Sequence, residues 1–230
     1  MPATEPAEAL YRLRKQPRQA RAKATVQAVL DASARILVEV GYAGANTNRI
    51  AEIAGISIGS LYEYFPGKEA IFAELRRREG LKTYQQLMRE PRPTTPETVL
   101  RHLVTTYIAR FRDDRELLVA LENEVPRFAI AELEQAVLDD YMPLSDAFLV
   151  EHRARLKPDN SVPFISEFLV RTVCSIIIDY AQHAPGHLSQ PELAEAIIAM
   201  VGGWLIKEPQ DYTQQTNSKA IKKPASKGNK

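Results

Sequence analysis

The chain has 230 residues, enough to bury a sizeable core and to form one or two domains. Apolar residues make up 45% of it and charged residues 26%, a balance that excludes an intrinsically disordered polymer. The formal net charge of +1 hides an uneven distribution: Arg12, Arg14, Lys15, Arg18, Arg21 and Lys23 have no acid among them, while Asp113, Asp114, Glu116, Glu122, Glu124, Asp139 and Asp140 crowd the middle. A basic end facing nucleic acid has this pattern, and so does a solvated tail.

Residues 1–17, with Pro2, Pro6 and Pro17, read as a flexible basic arm. A first helix is predicted from about Arg18 to Val40, with Val26, Val29, Leu30, Ala34, Ile36 and Leu37 on its apolar face and Gly41 at its end. Thr47 is expected to cap a short second helix carrying Ile50, Ala51, Ile53 and Ala54. Gly55 then turns the chain, Ile56 plugs the turn, and Ser57 caps a third helix anchored by Leu61 and Phe65. Two helices joined so closely form either an ordinary helical hairpin or a helix-turn-helix whose second member enters the major groove. A fourth helix starts near Lys68, places Ile71, Phe72 and Leu75 at helical spacing, and runs through Arg76-Arg77-Arg78-Glu79 towards Met88.

Pro91, Pro93 and Pro96 mark a break, and Thr95-Pro96-Glu97 combines a hydroxyl cap, a first-turn proline and a first-turn acid. Leu100, Leu103, Val104, Tyr107, Ile108 and Phe111 form one face of the helix that follows. Asp114 is expected to cap the next, through Leu117, Leu118 and Leu121, with a break at Pro126. Further helix fills residues 129–156 with an interruption at Pro143. The last two helices, Phe164 to Gln182 and Leu193 to Ile206, are apolar on most sides. They are either the protein's own core or a four-helix bundle with a second copy, in which Ile176, Tyr180, Ile197, Ile198, Val201 and Trp204 form the dimer interface. Residues 207–230 are polar and lysine-rich, and read as a disordered tail.

The lone Cys174 excludes an internal disulfide and reads as a small buried hydrophobe. No signal peptide is recognisable and no segment approaches the roughly 20 apolar residues of a membrane span, so a cytoplasmic protein without a membrane partner is expected.

From residue 18 to about 75 the sequence resembles the tetracycline-repressor (TetR) family of bacterial regulators. The residues that carry the resemblance are Ala28-Val29-Leu30-Asp31-Ala32-Ser33-Ala34-Arg35-Ile36-Leu37, Gly41-Tyr42, Thr47 with Ile50-Ala51, the run Ala54 to Tyr62, and Tyr64-Phe65-Pro66-Gly67-Lys68-Glu69. The resemblance implies an all-α protein: a three-helix helix-turn-helix DNA-binding domain over 18–80, and a helical ligand-binding and dimerisation domain over 81–206. It also implies a homodimer on a palindromic operator, released by a small-molecule effector. Thr47 and Asn48 would face phosphate, Ser57, Ile58, Gly59, Ser60 and Tyr62 would lie on the recognition helix, and Tyr64 and Lys68 would contact phosphate. Glu63 should point away from the DNA. Arg14, Lys15, Arg18 and Arg21 would lie along or in the minor groove, or be simply solvated.

Tyr107, Phe111, Leu121, Phe128 and Phe148 would wall an effector pocket or be core. Arg171 and Asp179, polar residues in an apolar helix, would serve that pocket or pair across the dimer. No cofactor or metal is expected: His183 and His187 have ligand spacing with Asp179 one turn earlier, but Pro185-Gly186 breaks the helix between them. An enzyme is disfavoured, since Glu122 and Glu124 do not share a helix face and no nucleophile or phosphate-loop motif occurs. The other alternative is a ligand-independent architectural DNA-binding protein with a filled body.

Overall fold

The computed structural model describes residues 12–89, 94–125 and 145–208. Regular structure among them is helical apart from one antiparallel bridge between Leu156 and Ile206. The chain order is α1 (Ala20–Gly44), α2 (Thr47–Ile53), α3 (Ile58–Tyr64), α4 (Lys68–Leu87), α5 (Pro96–Asp113), α6 (Arg115–Glu124), α7 (Val162–His183) and α8 (Pro191–Leu205). Residues 145–151 are also helical, and 3-10 turns occupy Arg153–Arg155 and Pro185–Ser189. The all-α expectation holds. Phe128, the breaks at Pro126 and Pro143, and most of the two terminal segments lie outside the described residues.

Local chemistry explains most boundaries. Gly41 takes a φ of 73° and interrupts α1, which resumes for one further turn to Gly44. At the end of α2, Ile56 N–H reaches Ala51 O and Gly55 N–H reaches Glu52 O, a paired arrangement that satisfies orphan carbonyls and requires the positive φ of 68° at Gly55. Thr95 and Thr98 exchange side-chain and backbone hydrogen bonds in a capping box that opens α5. Asp114, by contrast, precedes α6 without capping it: its carboxylate is taken by Arg110 one turn back.

One apolar core runs through the molecule. Leu30, Ile36, Ile50, Leu61, Phe65, Ile71 and Phe72 fill the space enclosed by α1–α4, and Val104, Ile108, Val173, Ile177, Ala181, Ile197 and Val201 continue it between α5, α7 and α8. A smaller cluster of Leu149, Leu156, Ile165, Leu205 and Ile206 closes the far end. Ile197 and Val201 were expected at the dimer interface; they point into the protomer's own core because their side of α8 packs on α5.

Polar ties join the two regions. Glu79 of α4 and Arg110 of α5 form an ion pair at 2% and 3% exposure, extended through Arg78 to Asp31 of α1 and through Lys82. Burial lowers the Arg110 guanidinium from its usual range, and Glu79 opposes that effect. The last turn of α6 is held by three other helices. Arg76 of α4 donates to Leu121 O at 3.1 Å and pairs with Glu122 at 2.8 Å. Gln182 of α7 donates to Asn123 at 2.9 Å, and Glu124 accepts the Tyr42 backbone N–H of α1 at 2.8 Å.

Candidate nucleic-acid interface

The α2–α3 pair is a helix-turn-helix fixed from beneath and open on top. Ile50 and Ala51 bury one side of α2, and Leu61 and Phe65 anchor α3. Ser57 caps α3 as expected, accepting the Ser60 N–H at 3.1 Å, and its hydroxyl also meets that of Ser60 at 2.9 Å. The cap of α2 is Asn46, whose side chain accepts the Arg49 N–H at 2.9 Å, so the cap expected at Thr47 lies one residue earlier. Asn and Thr both suit that role, and local sequence does not separate them. Thr47 instead meets the Tyr62 hydroxyl at 3.0 Å, tying the start of α2 to the middle of α3.

On the outward side, Asn48, Ser57, Ile58, Gly59 and Tyr62 are all exposed, while Thr47 and Ser60 are half-buried. Exposed Ile58 and Tyr62, four residues apart, present apolar surface to solvent on one face of α3. Gly59 is helical, and a Cβ added to it would meet only Ser57 Oγ at 3.8 Å, an ordinary contact. Packing within the protein therefore does not require a glycine there. Arg18 and Arg21 are exposed at the start of α1, with no ion pair among the described residues.

Lys68 departs from its expected place. Its ammonium is half-buried, donates to Tyr42 O at 3.1 Å and Ala45 O at 3.4 Å, and stands 4.4 Å from the centre of the Tyr42 ring. It braces the α1–α2 connection; a phosphate would have to draw it from those acceptors. Tyr64 packs partly against the core with the Lys15 ammonium over its ring. Glu63 is exposed and paired with Lys15. Sequence reasoning placed Arg14 and Lys15 in a free arm; residues 13–15 lie against α3.

In the body, Phe111 and Leu121 are core side chains. Phe148 stacks on His152, whose Nε2 meets Thr94 O near the start of α5, about three turns from Tyr107. Tyr107 and Cys174 bond each other between α5 and α7, and burial pushes the Cys174 thiol up to about 12. Arg171 and Asp179 are exposed, bonded to Glu167 and His183, and do not enter a pocket with Tyr107. Both lie on the outer side of α7, where Phe164 (48% exposed) and Phe168 (42%) also stand. Phe168 lies 4.8 Å from Trp204, and Met200 of α8 is 53% exposed nearby in sequence. Ile176, Tyr180, Ile198 and Trp204 are half-buried. The exposed aromatic pair Phe164 and Phe168 was missed as a surface because an apolar helix looks alike on its inner and outer sides. An open cleft of about 550 Å³ between α4 and α5 is lined by Gln86, Arg89, His102 and Arg110 among others, and by none of the expected pocket residues. Among the described residues no group of three His, Cys, Asp or Glu is placed to hold a metal, and no helix is long and apolar enough to cross a membrane.

Residues 29–75 match the family model described as bacterial regulatory proteins, tetR family. An uncharacterized HTH-type transcriptional regulator of Mycobacterium tuberculosis is 31% identical over 195 residues, spanning 80% of this chain and 93% of the relative. Among solved structures, NalD of Pseudomonas aeruginosa, the secondary repressor of the MexAB-OprM multidrug efflux pump, superposes with a TM-score of 0.63 at 20% identity over 83% of this chain and 100% of that one. FadR of Bacillus subtilis in complex with stearoyl-CoA gives 0.64 at 19% identity over 77% and 98%.

Proposed function

The chain belongs to the tetR family of bacterial regulatory proteins, a transcriptional regulator with a helix-turn-helix, and we propose that it acts as a homodimeric repressor whose α3 reads a palindromic operator. The observation that carries this reading is the outward stripe of Ser57, Ile58, Gly59 and Tyr62 along α3, whose other side is anchored by Leu61 and Phe65, with exposed Asn48 at the start of α2. Ile58 offers an apolar contact for a thymine methyl, and Gly59 lets the backbone approach a base edge. Thr47, Asn48, Arg18 and Arg21 grip phosphate on either side. The DNA-binding head spans 18–80 and the effector and dimer body 81–206.

The dimer forms through the outer faces of α7 and α8, centred on Phe164, Phe168, Met200 and Trp204, with Arg171 and Asp179 along the same α7 face. Two half-sites then lie about 34 Å or a multiple of it apart. The effector is a small molecule taken up by the body beside Tyr107 and Cys174, where the phenol and thiol supply a polar element in an apolar interior. It releases DNA only by binding the DNA-free conformation better than the DNA-bound one.

Selection of bound sequences from a random DNA pool, followed by an effector screen, tests the reading. The expected result is a palindrome whose preference at one base pair per half-site relaxes in Ile58→Ala, at a cost of about 1 kcal/mol and with an unchanged salt slope. Recovery of no preferred sequence would refute it. A palindrome that no compound releases would favour the ligand-independent architectural role.

A further inference from the structure

Helix α3 is seven residues long, and its last carbonyls find no partner inside it. Leu61 O accepts the Phe65 N–H at 3.0 Å, and the chain turns away. The carbonyls of Tyr62 and Tyr64 are met by Arg14, 48 and 50 residues earlier in the sequence. Arg14 donates its backbone N–H to Tyr64 O at 2.8 Å and its Nη1 to Tyr62 O at 3.3 Å. Lys15 Nζ donates to Glu63 Oε2 at 2.7 Å and stands 4.6 Å from the centre of the Tyr64 ring. Leu13 packs on the core beside them. Two cations and one backbone donor are thus collected at the negative end of this one helix.

We propose that residues 13–15 are a clamp on the C-terminal end of α3 that sets the pose of the DNA-reading helix, so that Arg14 and Lys15 act on operator binding through α3 and not by touching DNA. The proposal rests on the reading of α3 given above. Arg14 and Lys15 are positioning residues. Lys15 is neutralised by Glu63, and that hydrogen bond holds its ammonium above the ordinary lysine range. The Arg14 guanidinium keeps its charge but is turned onto the Tyr62 carbonyl at the end of α3 rather than outwards to a phosphate. Phosphate neutralisation in the basic segment falls instead to Arg18 and Arg21. The bonded carbonyls belong to the turn that carries Tyr62, so a loosened clamp displaces Tyr62 first.

The clamp makes a prediction that a phosphate-contacting arm does not. Arg14→Ala and Arg14→Pro remove the same guanidinium, but only proline also removes the backbone donor. Operator affinity of the full-length protein is measured for both across a salt series, with thermal melts as a folding control. The expected result is that Arg14→Pro binds operator roughly 2- to 10-fold more weakly than Arg14→Ala, the range of one net hydrogen bond. Both variants keep the wild-type salt slope. Equal affinities, or a slope lowered by about one unit in Arg14→Ala, would overturn the clamp. If Arg14→Pro does not fold, the cycle Lys15→Met with Glu63→Gln decides. The effect of Lys15→Met vanishes in the Glu63→Gln background if Lys15 acts through Glu63; an undiminished effect there overturns the proposal. Ile58→Ala in the same series keeps the two failures apart: if it leaves base preference unchanged, the reading of α3 falls and the clamp with it.

Discussion

The head and the body solve the same problem at different ranges. In the head, short helices are set by features a few residues apart: the Asn46 and Ser57 caps, the positive φ of Gly55, and the Leu61 and Phe65 anchors. The exposed stripe on α3 follows almost directly from those choices. In the body, the long helix α5 meets α7 and α8 through residues far apart in the chain, as Arg101 does with Glu195 94 positions on, and the exposed Phe164, Phe168 and Met200 are defined only by what the rest of the fold leaves uncovered. A local code specifies the exposed face of α3; a global one specifies the outer faces of α7 and α8, the surface proposed for a second copy.

The comparison is broken most severely at the join. Glu79→Ala removes the buried partner of Arg110 and leaves it only the exposed Asp114, at an expected cost of up to about 3–5 kcal/mol, while replacing both Glu79 and Arg110 by leucine recovers most of that loss. Denaturant unfolding of the two variants checks it. Next, Phe168→Asp is expected to give monomers in sedimentation and to weaken binding to a full operator by roughly 10²–10⁴-fold, the avidity of a linked second half-site, with affinity for an isolated half-site retained. Gly41→Ala has a smaller effect. Its φ of 73°, a region L side chains rarely adopt, should cost about 1–3 kcal/mol, and the added Cβ, 2.5 Å from Glu124 Oε2, should push that exposed carboxylate aside. It also detaches Glu124 from Tyr42, so effector-induced release should weaken relative to basal binding. The mildest effect concerns Cys174. Burial pushes its folded thiol from the ordinary value of 9 up to about 12, so stability is expected to be fully present below pH 9 and to decline as pH rises towards 12. Between pH 8 and 10 the loss is roughly 1 kcal/mol, and Cys174→Ala should flatten that part of the profile.

The sequence was most legible where a residue's role depends on its neighbours in the chain. The capping box at Thr95, the turn at Gly55 and the anchors Leu61 and Phe65 were all readable, as was the all-helical architecture. Asn46 was missed by one position because two good caps stand side by side. Lys68 was placed correctly on its helix, yet nothing local says that its side chain turns back onto Tyr42 O and Ala45 O. The run Arg76-Arg77-Arg78-Glu79 read as a plain charged stretch, because the partner of Glu79 is Arg110, 31 residues away. Periodicity in an evenly apolar helix does not distinguish an inner from an outer side, which is why Ile197 and Val201 look like interface residues in the sequence and are core in the fold. Arg14 and Lys15 read as a free arm for the same reason of range: their acceptors belong to another helix.

The central claim, that α3 presents its outer face to DNA, is tested most directly at Gly59. A helical glycine that its neighbours leave room to replace is a liability for the fold and an advantage only if something must come close. Gly59→Ala should therefore stabilise the protein by up to about 0.5 kcal/mol in denaturant unfolding, since Gly59 lies in the first turn of α3. In the same preparation it should lower affinity for the selected operator by at least about tenfold, with binding to random DNA little changed, since non-specific contacts go to phosphate. An alanine variant that is more stable and binds operator as well as the wild type would contradict the account.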